Sequence, residues 1–508
     1  MNAGLLKVNG NAAADAFALV GVTAVTRFAF RSHYLYDIDS VNFALALRRF
    51  DTGVHQPQPP GYFLYICLGR AFSRVFENAN TALVAISILF SCAAVAAIYA
   101  LAHDWFGRMP AMFAAGVFVF SPLAWFHGTV ALAYIVECFF SALTGFLCWR
   151  IYCGRRRFIL PASLVVGIAA GFRPSSLLLL GPLLLFSLHG AGVRRAAAGI
   201  AMLVLTLLAW FVPMIRIEGA EAYWSSLVSL WLVAPSKTTV FNSPPASSLV
   251  RVVVMGAIYL LCFGCAAILP FLRDPRTPAS DHRKAVFTWI WIAPGLLFFA
   301  LIFLKFVNSG YLLLLAPPIC AWMGQWAADV YARLRLRPTL KLSAVAACVA
   351  LNTAIFLGAP FYCSYGQVRQ FEAELESTVR ELPQTVSCGD TMIVGFDSHF
   401  LGYRHAGYYL PGCLTVQFPP VGLAAGNRIF AMEDRNTWLE TRLDTTLVRN
   451  FVLFPLPADD SEYSEYMDQV RRRFPPGVLR TVAHGGREFV TGPVEDLRFL
   501  FPSPGGGE

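Results

Sequence analysis

Charge is what this sequence has least of. Asp, Glu, Lys and Arg supply 14% of its 508 residues, while 56% are hydrophobic and 14% aromatic; a soluble globular chain carries about a quarter charged residues. That shortage excludes a soluble enzyme, and the apolar content excludes a disordered chain. Lysine is rarer still, with 5 Lys against 35 Arg and none beyond Lys341. No Cys, His or carboxylate stands near His55 at the ligand spacing of a zinc site, which excludes that centre there. The 12 Cys lie mostly within apolar blocks, where they act as small hydrophobes rather than as a disulfide framework. Internal repeats are absent, and low complexity is confined to the tail at 502–508.

What is there comes in blocks. Apolar stretches near the length that spans about 30 Å of hydrocarbon fall at 12–31, 81–101, 109–123, 131–152, 158–172, 175–189, 196–214, 252–272, 286–304, 311–331 and 342–361. They predict a polytopic α-helical membrane protein with about 11 transmembrane helices, although the two short blocks around Arg173 also read as one broken hairpin. Block 12–31 lacks a small-x-small cleavage site and is followed by further spans, so it reads as a span rather than a signal peptide.

The net charge of +9 divides unevenly. Residues 362–508 hold 13 Arg, no Lys and 19 acidic residues, leaving 27 basic and 12 acidic residues in 1–361. A basic membrane portion beside an acidic, polar segment reads as positive cytoplasmic loops plus one soluble domain, not as a nucleic-acid binder. Arg108, Arg155, Arg156, Arg157, Arg194, Arg195, Arg273, Arg276, Arg283, Lys284, Arg333, Arg335, Arg337 and Lys341 fall in connections on one side. This bias predicts a cytoplasmic N-terminus and an extracytoplasmic C-terminus. The predicted domains are a transmembrane domain at 1–361, whose first outer loop is 32–80, and a small α/β or α+β extracytoplasmic domain at 362–508.

In that second domain, 367–382 has helical spacing with Glu372, Glu376 and Arg380 outward. Segments 390–396 and 450–456 read as buried strands, 461–474 as a helix, and 477–483 with 487–491 as strands about a turn at His484, Gly485 and Gly486. Of Cys363, Cys388 and Cys413, two are able to pair in an oxidising compartment.

Chemistry concentrates in the first outer loop, where Asp37 and Asp39 precede an amphipathic helix expected to lie along the membrane surface. Asp39 or Ser40 is the expected N-cap, with Asp37 solvated. If Asp39 caps strongly, Asp37 becomes the better proton acceptor, and the D-x-D pair also suits a divalent cation such as Mg or Mn through oxygen ligands. Pro57, Pro59 and Pro60 shape the entry to the next helix beside His55 and Gln58. Glu137 is expected about two turns inside the fourth span, where an ionisable group faces a cavity or a partner. Arg173 and Lys305 stand at outer membrane boundaries, as phosphate contacts or as side chains that snorkel, and Arg27 and Arg31 also read as snorkelling.

This arrangement of acidic first loop, amphipathic helix, Pro-Pro-aromatic entry at Pro59-Pro60-Gly61-Tyr62 and a carboxylate after Tyr134 resembles the GT-C membrane glycosyltransferases, specifically the protein O-mannosyltransferase and aminoarabinose transferase group. Gly310-Tyr311 leading into a Leu/Pro-rich span is a further likeness. The sequence departs from the group at Gln58, where a basic residue is frequent, at Ser40, where Glu is, and at Glu137, where Asp is usual.

The resemblance implies transfer of a sugar from a polyprenyl-phosphate carrier to an acceptor hydroxyl of a protein, lipid or glycan on the extracytoplasmic face. Asp39 would be the general base, with inversion at the anomeric carbon. Glu137 would orient hydroxyls; Arg173 and Lys305, then His55, Gln58 and Tyr311, would receive the lipid phosphate. A transporter or flippase carrying the same charges along a path, and a scaffold whose outer domain binds partners, are the competing classes. The missing internal repeat speaks against the first, and an ionisable Glu137 has no reason in the second.

Overall fold

The helix Ala79–Phe106 shows how these sequences become spans. Its 28 residues reach about 42 Å at 1.5 Å per residue, enough to cross the hydrocarbon with an excess turn or two. Asn78 caps it, its side chain accepting from the amides of Asn80 at 2.8 Å and Thr81 at 3.4 Å. Gly107 ends it at φ 89, a left-handed conformation that a Cβ disfavours.

The computed structural model describes residues 10–228, 245–272, 282–301, 306–396, 398–418, 422–423, 426–427, 430–434, 437–440, 448–454, 477–484 and 487–493. The chain is a multi-pass membrane protein. Among the described residues, seven helices are long and apolar enough to cross a membrane: those within Asn11–Ala29, Ala79–Phe106, Tyr134–Tyr152, Val193–Glu218, Leu249–Leu272, His282–Leu301 and Pro338–Gly358. Among the described residues, each of the eleven expected blocks falls on one or two helical segments. The difference in number comes from length and polarity: Arg108–Val119 has 12 residues, and Ile159–Phe172 and Ser175–Leu188 have 14 each, about 21 Å at most and so short of the hydrocarbon thickness, while the 18 residues of Ala316–Arg333 include Gln325, Asp329 and Arg333.

Two compact units emerge. The first is Met1–Ser32 with Pro59–Gln367; the second is His33–Gln58 with Val368–Glu508. This division differs from the single boundary after residue 361 suggested by composition, because composition carries no record of which soluble segment a loop packs on.

In the first unit, close helix packing is set by small residues facing large ones. A Cβ at Gly145 would lie 1.8 Å from the ring of Trp291, so only glycine admits that indole. Trp291 Nε1 then donates to Ser141 Oγ at 3.0 Å, and Ser141 Oγ to the Leu314 carbonyl at 2.6 Å. Arg27 does not snorkel. It is fully buried, donates to the Val119 carbonyl at 2.7 Å and lies 5.1 Å from the Trp125 ring, so hydrogen bonding and cation–π attraction replace hydration.

The second unit is built on a seven-stranded mixed sheet of order β6-β5-β2-β1-β7-β9-β8. Its strands are β1 (Thr391–Phe396), β2 (Thr415–Phe418), β5 (Phe430–Asp434), β6 (Thr437–Glu440), β7 (Asn450–Leu453), β8 (Arg480–His484) and β9 (Arg487–Pro493); β3 (Gly422–Leu423) and β4 (Gly426–Asn427) pair separately. β1 runs parallel to β2 and β7, and its Met392, Ile393 and Val394 are all buried, as a continuous apolar run in a parallel pair requires. β8 and β9 form the expected antiparallel pair, with His484 opposite Arg487. The helix expected at 461–474 lies outside the described residues. Cys388 and Cys413 form a disulfide, and Cys363 keeps a buried thiol.

The first-loop helix Ile38–Arg48 departs from expectation. Residues 40 to 46 are all buried, and it packs against the helix Tyr403–Tyr409, with the Ile38 amide donating to the His399 carbonyl at 2.9 Å. A surface-lying amphipathic helix would leave one face exposed. Glu372 is likewise buried rather than outward: its carboxylate accepts from the amides of His33 and Tyr34 and pairs with Arg369. Glu376 and Arg380 are exposed as expected.

Candidate active site

A sequence-forced break places the first cluster. Arg173 precedes Pro174, and a residue before proline is pushed from the helical to the extended region; Arg173 has φ −155 and ψ 111. The chain therefore stops the helix Ile159–Phe172 and restarts at Ser175. Arg173 Nη1 donates to Glu137 Oε2 at 2.8 Å, and Ser176 Oγ donates to Glu137 Oε1 at 3.2 Å.

Glu137 sits in the first turn of Tyr134–Tyr152, not two turns inside a span. Residues 128–133 form a connection rather than helix, which moves the helix start toward the carboxylate. Its charge is thereby stabilised by the N-terminal helix dipole and by the guanidinium. Arg173 and Glu137 are 4% and 2% exposed, so the snorkelling reading of Arg173 is replaced by a buried ion pair.

Aromatic rings enclose that pair. The Arg173 guanidinium carbon lies 3.9 Å from the Tyr311 ring centroid, 4.8 Å from Tyr134 and 5.6 Å from Tyr62. Such faces attract a cation through their quadrupoles. Tyr134 meets Tyr311 edge-on at 5.3 Å and donates to Asn308 Oδ1 at 3.4 Å. The expected Glu137, Arg173 and Tyr311 thus come together with Tyr62 of the Pro-Pro-aromatic entry; Asn308 and Ser176 were given no role in the sequence, since only their contacts reveal them. Lys305 lies outside the described residues.

In the second unit Asp37, not Asp39 or Ser40, is the N-cap of Ile38–Arg48. Its Oδ1 accepts from the Asp39 amide at 2.8 Å. The carboxylate is buried rather than solvated, and burial raises its pKa to about 7 against the opposing pull of the Asp39 amide. Asp39 lies in the helix's first turn. Among the described residues no group of three His, Cys, Asp or Glu is placed to hold a metal ion.

The segment after this helix folds on itself. Asp51 and Gln56 exchange backbone hydrogen bonds of 2.6 and 2.8 Å, and His55 occupies the left-handed region at φ 58 with its side chain exposed. Arg404, itself buried, donates to the carbonyls of Val54 at 3.1 Å and His55 at 3.3 Å. The side-chain amides of Gln56 and Gln58 are buried and make no hydrogen bond to a described residue.

Residues 52–191 match the family profile of the N-terminal domain of protein O-mannosyl-transferase TMEM260. Among curated proteins, none matches the chain. Among solved structures, ArnT from Cupriavidus metallidurans bound to undecaprenyl phosphate is similar, with a TM-score of 0.56 and 13% identity over 96% of this chain and 99% of that one. ArnT in the apo state gives a TM-score of 0.54 and 14% identity over 97% and 100%. The oligosaccharyltransferase of Archaeoglobus fulgidus in complex with Zn and sulfate has a TM-score of 0.45 and 13% identity over 86% of this chain and 67% of that one. The correspondence with ArnT runs nearly end to end in both chains, and this chain has the GT-C membrane fold.

Proposed function

We propose that the protein is a membrane glycosyltransferase that moves a sugar from a polyprenyl-phosphate carrier to an acceptor hydroxyl on the extracytoplasmic face. The observation that carries this reading is the buried Arg173–Glu137 pair within its tyrosine cage, in a fold shared with a protein that binds undecaprenyl phosphate. A lipid-linked donor explains why the chemistry sits in a membrane protein: the tail stays in hydrocarbon and the phosphate at its edge.

Asp39 acts as general base, taking the hydroxyl proton as the acceptor oxygen attacks the anomeric carbon. The bond to the carrier phosphate breaks, the phosphate leaves with the electron pair, and configuration inverts. Arg173 offers donors and charge to the departing phosphate. Its partner changes the role expected of Glu137, whose charge is largely balanced and whose contribution is to fix the guanidinium in place. Asp37 fixes Asp39 through the helix cap. Donor, acceptor and surrounding membrane lipids are the partners, the acceptor being a protein, lipid or glycan. The Cys388–Cys413 disulfide supports an oxidising compartment for the second unit, in keeping with a bacterial inner membrane and an N-terminus in the cytoplasm.

The test uses purified protein reconstituted in vesicles with undecaprenyl-phosphate mannose, glucose or arabinose and candidate acceptors. Release of undecaprenyl phosphate with formation of a glycosylated product is expected. Movement of intact donor across the bilayer without cleavage would make the protein a flippase. Chelation with EDTA followed by Mg or Mn in the same assay decides whether a divalent cation joins Asp37 and Asp39.

A further inference from the structure

One buried side chain of the first unit has no part in the scheme above. His127 ends the short helix Pro122–His127, is completely buried, and neither ring nitrogen makes a hydrogen bond to a described residue. Its ring meets Tyr134 at 4.9 Å and an interplanar angle of 64°. Tyr134 is the same ring that lies 4.8 Å from the Arg173 guanidinium. A Cβ at Gly310 would stand 2.4 Å from Tyr134 Cγ and 2.7 Å from His127 Cε1, so glycine there lets the 306–314 segment close against both rings.

A buried polar group without partners is unfavourable, and native structures retain few. If packing alone were needed beside Tyr134, a phenyl ring would supply it without that penalty. A neutral imidazole offers one donor and one acceptor. An ionised phosphate accepts only, whereas a hydroxyl both donates and accepts, so the imidazole suits a hydroxyl better.

We infer that His127 is a specificity-determining residue that hydrogen-bonds a hydroxyl of the donor's sugar, beside the Tyr134 ring that also contacts Arg173. The inference rests on the glycosyltransferase reading and deepens it: the guanidinium receives the phosphate and the imidazole reads the sugar attached to it. Tyr134, held by Asn308, contacts both side chains.

The experiment compares wild-type protein with His127→Phe, which keeps an aromatic ring, and His127→Gln, which keeps a donor and an acceptor. Binding of undecaprenyl phosphate is measured beside turnover of undecaprenyl-phosphate mannose, glucose and arabinose. His127→Phe is expected to bind the bare carrier within twofold of wild type, to raise KM for the preferred sugar about tenfold, the loss of roughly one hydrogen bond, and to blur the preference among sugars. His127→Gln should recover most of that loss. Unchanged KM and preference in His127→Phe would overturn the inference, as would equal weakening of carrier and donor, which places the imidazole on the phosphate or in the packing.

A second arm needs no stable substitution at 127. In wild-type protein with 15N-labelled histidine, one buried imidazole should shift on adding the preferred donor and stay put with undecaprenyl phosphate; no donor-specific shift overturns the contact. Failure of wild-type protein to cleave any donor is separate: it removes the enzyme reading itself, and the sugar contact falls with it.

Discussion

Arg173 Nη1 and Glu137 Oε2 are 2.8 Å apart, and neither side chain is more than 4% exposed. Removing one member of such a pair leaves the other charge buried and uncompensated, at a cost of about 3–5 kcal/mol. Glu137→Gln and Arg173→Met should each lower the thermal midpoint in detergent. The double variant should lose less than the two single losses combined. Additive losses in that double-mutant cycle would mean the two side chains are not energetically coupled.

The second unit carries two buried groups whose pH effects have opposite signs. Burial raises Asp37 to about 7, so between the unfolded value near ~3.9 and about 7 the folded state binds the extra proton, and stability falls as pH rises through that window. Burial lowers His405 to about 4. Its contribution is complete above the unfolded value near ~6.5 and is lost as pH falls toward about 4. Asp37→Asn, which retains a capping side chain, should remove the decline on raising pH toward about 7; His405→Leu should remove the opposing loss on lowering pH toward about 4. Midpoints measured from pH 4 to pH 8 check both, and unchanged profiles would contradict them.

Within the second unit, Arg404 ties the segment after the helix Ile38–Arg48 to the helix Tyr403–Tyr409 through the carbonyls of Val54 and His55. Hydrogen bonds from a charged donor are worth about 1.5–3 kcal/mol each. Arg404→Ala should therefore speed amide exchange and proteolytic cleavage across residues 51–56. Protection equal to wild type would show that the backbone exchange between Asp51 and Gln56 holds the turn unaided.

Reduction tests the covalent link. The Cys388–Cys413 disulfide spans 25 residues of sequence, and closing a loop of that size stabilises by about 3 kcal/mol. Cys388→Ser with Cys413→Ser should lower the midpoint of the second unit, and mass spectrometry under non-reducing conditions should find this pair with Cys363 as a thiol. A bridge involving Cys363 would contradict it.

What was legible in the sequence was local. The apolar blocks fell on helical segments because hydrophobic runs report removal from water residue by residue, and the paired carboxylates marked the helix Ile38–Arg48, although its cap is Asp37 rather than Asp39 or Ser40. The strands at 391–396 and 450–453 were readable for the same reason. What failed depended on distant partners. Glu137 and Arg173 are 36 positions apart, each legible as a costly charge but not as the other's neighbour. Glu372 has outward helical spacing yet turns inward to backbone amides 338 and 339 positions away. His127 has no marker among Trp125, Phe126 and Gly128, where a buried histidine resembles ordinary core until its ring is seen beside Tyr134.

The most direct measurement of the central claim is single-turnover release of undecaprenyl phosphate from an undecaprenyl-phosphate sugar by wild type and Asp39→Asn, each in the presence and absence of acceptor. Loss of a positioned general base typically costs about 10²–10⁴-fold. The account predicts acceptor-dependent release by wild type and a loss of that size in Asp39→Asn, with carrier binding retained. Release at the wild-type rate from Asp39→Asn, or no bond cleavage by wild type with any donor, would contradict it.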